Sequence, residues 1–377
     1  MKISTNHSRQ QGIAIIIVMI SIAILAALAG NFAASMKVET RLAFNSRNEN
    51  ELEWAGRSGI ELTRYVLGEE LVASGHRYDS LDQRWAGGTA ETNEELLAVP
   101  FENIELGPGA RIKKWTLVDT ERKFNINMAL ASPDVLKNAL IHVVGADAAE
   151  VPTIVSSIQD WIDPDDDPHI NGAESDYYQT LSPPYFAKNG PIDDLSELLL
   201  IKGIADNPAL YWGPNNPNNP SNPSSRLPSH PVAKTAPLPG APADPVGMVD
   251  IFTPISQGRI NILTASAAQL QVLPYVDEAV ANQIVQMRSE VGDDGFLPYT
   301  RAVDLLVNTA LGQQLAPQVA QYCDVHSFTF EATVVVEVGQ STRTYFALLR
   351  RNGPRDVQIL GMRWEDGDQS APSNRLD

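Results

Sequence analysis

The chain has 377 residues, too many for one ordinary domain, and a hydrophobic fraction of 43% that is enough for a buried core. Its 28 Lys and Arg stand against 46 Asp and Glu, a net charge of −18 that repels phosphate backbones and argues against nucleic-acid partners. The single cysteine, Cys323, excludes an intramolecular disulfide and any cysteine-based zinc cluster.

Residues 1–12 are polar and carry Lys2 and Arg9; from Ile13 to Ala34 the chain is apolar, broken only by Ser21, Gly30 and Asn31. Twenty helical residues at ~1.5 Å each reach ~30 Å, the hydrocarbon thickness of a bilayer. This is a membrane segment. A secretory signal peptide would have a shorter apolar stretch, although Ala27-Leu28-Ala29 would serve as its cleavage site. A plain signal anchor explains the length but not the boundary. A short basic leader ending in Gly12, followed at once by an apolar helix, resembles the signal of type IV prepilins. That resemblance implies cleavage after Gly12 by a prepilin peptidase and methylation of the new N-terminus, Ile13. Lys37, Arg41 and Arg47 follow the segment, so the positive-inside rule does not fix its orientation. The resemblance places the bulk of the chain outside the cytoplasm.

No proline precedes Pro100, and Leu52, Ala55, Gly59, Leu62 or Thr63, and Val66 recur at helical spacing. The pattern predicts one helix from 13 to about 72, ~90 Å long. Its first half is apolar all round and its second half amphipathic. Pilin-type proteins mostly carry Glu at the fifth mature position, where it compensates a neighbour's free amine; here that position is Ile17. Such a subunit suits the end of a filament better than its middle.

Residues 104–118 read as strand, as do 326–338, 341–350 and 357–364, which are rich in β-branched and aromatic residues. Gly339-Gln340 and Asn352-Gly353-Pro354 mark the turns between the last three. Between these strand regions the pattern is helical. Asn125-Ile126-Asn127 before Ser132-Pro133, and Asn261-Ile262-Leu263 before Ser266-Ala267, suggest two related modules, each opened by a Ser N-cap. The expected organisation is a leader at 1–12, then stem and first body part at 13–122. An inserted helical domain follows at 123–325, made of modules 123–206 and 251–325 around a proline-rich linker, 207–250. The C-terminal strands occupy 326–377. The fold class is α+β: a pilin-like long helix on an antiparallel sheet, with a large all-helical insertion. The modules resemble helix-hairpin-helix units, but the hairpin Leu273-Pro274-Tyr275-Val276 lacks the glycine through which DNA-binding versions meet phosphate.

Residues 160–197 hold ten carboxylates and one Lys or Arg, Lys188. Carboxylates at that density repel one another unless protonated or bridged by a cation, and oxygen-only ligands suit Ca²⁺ before Mg²⁺. Counting Asp163 as 1, Asp165, Asp167, the carbonyl of His169, Asn171 and Glu174 fall at EF-hand positions 3, 5, 7, 9 and 12. Pro168 at position 6 cannot take the left-handed conformation that turn needs, so a Ca²⁺ loop of another shape is expected. Asp163, Asp165, Asp167, Asn171, Glu174 and Asp176 are the candidate ligands. No nucleophile elbow or phosphate loop occurs, and the six His lack metal-ligand spacing. The chain reads as a non-enzyme, with a membrane-anchored carboxylate hydrolase as one alternative and a minor pilin of type IV pili as another.

The leader and apolar helix, Ile17, Asp119–Asn127, Trp161–Asp167, Glu174–Tyr178, Ser182–Tyr185 and Leu195–Gly203 occur in an order that resembles the K-type minor pseudopilins of type II secretion systems. The resemblance implies a single-pass inner-membrane protein with its bulk in the periplasm. It would start or cap the tip of a pseudopilus that exports folded proteins, and bind metal in the inserted domain. The partners it implies are the I- and J-type minor pseudopilins, the major pseudopilin, the prepilin peptidase and the inner-membrane assembly platform.

Overall fold

A computed structural model describes residues 8–73, 75, 77–88, 102–107, 109–213, 246–290, 297–339 and 341–367. One helix, α1, runs from Ser8 to Ala73, as the proline-free periodic sequence requires. From Ile15 to Phe44 its large apolar side chains are exposed, Ile17 among them, whereas Leu52, Ala55, Thr63, Val66 and Leu67 are buried. It is long and apolar enough to cross a membrane.

Five strands form one antiparallel sheet in sequence order: β1 (Glu102–Gly107), β2 (Ala110–Asp119), β3 (Thr329–Val338), β4 (Ser341–Gly353) and β5 (Asp356–Asp366). In β3 the residues Phe330, Ala332, Val334, Val336 and Val338 are buried and alternate with half-exposed ones, the period-2 signature of a sheet with one covered face. That face packs on α1 with Trp115, Ile112 and Tyr345, and Trp85 meets Phe330 edge-on at 5.2 Å. Two glycines let the helix lie close. A Cβ on Gly56 would stand 2.3 Å from the Tyr345 ring, and one on Gly59 2.4 Å from Val334 Cγ1. Arg343 ties the helix to the sheet edge, pairing at 2.8 Å with both Glu49 and Asp366 and lying 3.9 Å over the Trp364 ring.

β2 pairs with β3 across the entire insertion, Asp119 opposite Phe330 and Ala110 opposite Val338. The insertion therefore leaves and re-enters the sheet at one end. That end is the one reached by the C-terminal part of α1, since Arg351 Nη1 bonds Leu67 O at 3.4 Å. The helical domain thus sits at the end of the body remote from the apolar half of the stem.

The two helical modules share one core, in which Val135, Leu140, Ile154 and Ile158 join Leu270, Leu273, Ile284 and Leu305. Two short parallel pairs complete the domain: Phe124–Asn125 with Phe252–Thr253 joins the modules, and Ile260–Asn261 with Cys323–Asp324 ties the second module to the segment that returns to β3. Asn138 Nδ2 bonds the carbonyl of Gln271 at 2.8 Å. The expected repeat has a physical basis: Asn125 and Asn261 each accept a bond on Oδ1 from the N–H two residues on, at 2.9 Å. Ser266 caps its helix through its side chain, accepting from Gln269 N; Ser132 holds the N-cap position without such a bond.

The ends of the proline-rich linker are structured. Ala209–Trp212 and Met248–Ile251 are short helices, and Tyr211 and Met248 are buried in the domain core. Its expected bounds of 207 and 250 are therefore too wide, because apolar residues at both ends find a core that their polar neighbours hide in the sequence. Residues 214–245, like 1–7 of the leader, lie outside the described residues.

A buried polar seam joins body and insertion. Asp79 pairs with Arg351 at 2.5 Å, both side chains 2% exposed. Asn261 Nδ2 donates to Asp79 O and Ser327 Oγ, and Thr264 Oγ1 donates to Asp119 Oδ2. Glu121 Oε2 accepts from the N–H groups of Phe328 and Thr329. Burial, with Asp119 beside it, pushes the Glu121 carboxyl up to about 8.

Candidate metal centre

The acidic segment begins where the helix Val151–Ile162 ends. Val151, Ile154, Val155 and Ile158 bury one face of that helix, which leaves Asp160 wholly buried at its last turn and Asp163 8% exposed at its C-cap. Asp160 organises the loop that follows. Its Oδ1 accepts from His169 N at 3.0 Å and lies 2.5 Å from His169 Nδ1; its Oδ2 accepts from Ala173 N at 2.6 Å. Between those anchors the chain turns back on itself, with Gly172 N bonded to His169 O at 2.8 Å and Asn171 at φ +69°.

Asp163, Asp165 and Glu174 come together, one carboxylate oxygen of each lying within 4.8 Å of the others. Asp160, Asp163 and His169 form a second such group that shares Asp163. Glu174 is 4% exposed, and neither of its carboxylate oxygens has a hydrogen-bond partner; Asp163 Oδ1 is also buried and unpartnered. Burial, reinforced by Asp160 and Asp163, pushes the Glu174 carboxyl up to about 7. Asp163 is raised for the same reason, with Asp165 and Asp160 adding repulsion.

The nearby lysines are spent elsewhere. Lys188 Nζ binds Asp193 at 2.7 Å and Glu197 at 2.8 Å. Lys202 Nζ bonds the carbonyl of Gly172 at 3.1 Å and lies 4.9 Å over the Tyr177 ring. Three orphaned, buried carboxylate oxygens beside a third acid fit a hard cation: they cost ~1–3 kcal/mol or more each when left unmet, and oxygen ligands are what Ca²⁺ takes.

Of the six candidate ligands, Asp163, Asp165 and Glu174 are brought together. Asp167 and Asp176 are exposed and join neither group; the Asp167 N–H instead donates to Asp165 Oδ1 at 3.0 Å. Asn171 is exposed and shapes the turn. Asp160 was missed as a functional position, because a count that starts at Asp163 does not look back into the helix. Gly12 and Ile13 lie within α1, far along the chain from this cluster. Aromatic residues back the loop: Tyr178 meets Trp161 edge-on at 5.3 Å and stacks on Tyr185 at 5.2 Å. Phe186 is instead 69% exposed.

The family model described as type II secretion system protein K matches residues 122–210, which include the whole acidic loop. A type II secretion system protein K of Klebsiella pneumoniae is 25% identical over 371 residues, covering 92% of this chain and 94% of its own. One from Pectobacterium carotovorum subsp. carotovorum is 26% identical over 373 residues, covering 94% and 96%. With one from Escherichia coli strain K12 the identity is 29% over 211 residues, and the chain spans 60% of that relative's length. The fold is similar to that of a chain in the crystal structure of the GspK-GspI-GspJ complex from enterotoxigenic Escherichia coli type 2 secretion system. There the TM-score is 0.59 at 19% identity, over 86% of this chain and 99% of that one.

Proposed function

We propose that the chain, similar in residues 122–210 to the type II secretion system protein K family model and over nearly its whole length to two proteins of that name, is a minor pseudopilin that starts or caps the pseudopilus tip. The observation that carries this reading is the placement of the helical domain at the end of the sheet remote from the apolar stem. A subunit stacked above would meet that domain rather than a free body. Ile17, in place of a carboxylate, suits a subunit that compensates no neighbour's amine above it.

The same reading makes the Gly12–Ile13 bond the prepilin peptidase site and Ile13 the methylated N-terminus. It anchors the chain in the inner membrane with its bulk in the periplasm, delivered through the assembly platform. Its partners are the I- and J-type minor pseudopilins and, below them, the major pseudopilin. Co-expression of the full chain with and without a prepilin peptidase tests this. Intact mass should give a chain starting at Ile13 only with the peptidase, and the I- and J-type subunits should co-purify with it. A cut near Ala29, or no association, would sink the proposal.

The acidic loop is proposed to hold Ca²⁺ through Asp163, Asp165 and Glu174, with Asp160 ordering the loop. The cation would neutralise carboxylates that otherwise repel and staple the end of the Val151–Ile162 helix to the turn at Ser175. Its role is structural. Calorimetric titration of the full chain in detergent should show Ca²⁺ uptake that Glu174→Gln abolishes.

A further inference from the structure

Ile170 is 87% exposed, more than any other large apolar side chain among the described residues. It sits inside the turn from His169 to Gly172 that the buried Asp160 carboxylate holds at both ends. One exposed apolar residue is ordinary on a protein surface. Ile170 has company. Lys202 Nζ bonds the carbonyls of Asn171 and Gly172, which draws segment 200–202 alongside the turn. Leu200 is 45% exposed, and its carbonyl accepts from the Tyr185 hydroxyl at 2.6 Å. Next to Tyr185 in the chain stands Phe186, 69% exposed, preceded by the exposed Pro183 and Pro184.

Three segments linked by these bonds thus each expose an apolar side chain, and Tyr185 of one of them stacks on Tyr178, which meets Trp161 edge-on. Hydrogen bonds hold the backbone of the turn and of Leu200 in place, so little main-chain freedom would be lost on contact with a partner. Asp166 and Asp167, both exposed, precede the turn, and the exposed Asp206 follows segment 200–202 in the chain. Lys202 and Lys188 are engaged as described. An acidic border of this kind repels anionic lipid and attracts a basic protein surface.

We propose that Ile170, Leu200 and Phe186 form a docking surface for a folded protein that presents an apolar site bordered by Lys or Arg. The inference concerns this surface alone and does not depend on the secretion role. A patch of this size is far below the ~1,600 Å² of a standard stable interface, so the contact is transient and salt-sensitive.

The test places photoreactive benzoyl-phenylalanine at position 186 of the full chain in the envelope of its own bacterium. Peptide mass spectrometry then reads which protein, and which residues of it, are joined on illumination. The expected result is an adduct to one protein, mapped to an apolar site with Lys or Arg beside it. Ile170→Ser should reduce it about tenfold or more without changing the melting temperature, and Ile170→Leu should restore it. No adduct, adducts to lipid alone or scattered over many proteins, or an adduct untouched by Ile170→Ser would overturn the proposal.

Discussion

Gly172 and Asp160 fit together with no room for a side chain between them: a Cβ on Gly172 would stand 1.8 Å from Asp160 Oδ2. Asp160 cannot retreat without releasing the backbone N–H groups of His169 and Ala173, the two anchors of the loop. Gly172→Ala must therefore shift the loop that carries Asp165 away from Glu174. With overpacking worth about 1–3 kcal/mol, we expect Ca²⁺ affinity to fall about tenfold or more while the far-ultraviolet circular dichroism is unchanged. Titration calorimetry on the full chain decides it; an unchanged affinity would show that this contact does not set the site.

The pH dependence of stability should report Glu174. Its carboxyl stands at about 7 in the fold against an ordinary 4.5. The folded chain therefore holds a proton that the unfolded chain gives up. This group's contribution is full below pH 4.5 and lost as pH rises through 7. In a chelator, the melting temperature should fall between pH 5 and pH 8 more steeply for the native chain than for Glu174→Gln. Glu121, also raised, contributes with the same sign in both, so only the difference is assigned to Glu174. Added Ca²⁺ should lessen the fall in the native chain. Equal slopes with and without Ca²⁺ would remove Glu174 from the ligand set.

Arg351 and Asp79 are buried together at the seam, and losing one partner strands the other. Arg351→Met should cost about 3–5 kcal/mol, seen as a lower midpoint in urea. The double variant Arg351→Met with Asp79→Asn should cost less than the single change, since no charge is then left unpaired. A single change with no effect would mean that solvent reaches the pair.

The stem offers a contrast between two glycines in one helix. A Cβ on Gly56 meets the Tyr345 ring, whereas one on Gly30 meets nothing within 4 Å. Gly56→Ala should lower stability by about 1–3 kcal/mol through overpacking. Gly30→Ala should leave it unchanged or slightly raised, since Ala is the better helix former. Thermal melts in detergent compare the two. Equal effects would refute the close helix–sheet contact.

Much of this architecture is local and was legible in the residues. The stem needs only apolar periodicity and the absence of proline, and α1 ends at Ala73, near the expected 72. The last three strands need only alternation and turn residues; their observed ends differ from the expected ones by three residues at most. Of the six candidate ligands, half come together. Asp163, Asp165 and Glu174 converge, but Asp167 and Asp176 do not, because the loop is shaped by Asp160 from inside the preceding helix rather than by a glycine at position 6.

The sequence by itself determined the elements, the apolar stem and the concentration of carboxylates, since each depends on neighbours within a few turns. The tertiary structure alone decided that two similar modules share one core, that the insertion leaves and returns at the end of the sheet remote from the stem, and that Asp160 clamps the acidic loop. The first two outcomes depend on contacts such as Asn138 with Gln271 and Asp79 with Arg351, between residues more than a hundred positions apart. The free energy of such contacts depends on which surfaces the whole chain has already buried, and no local pattern of residues encodes it.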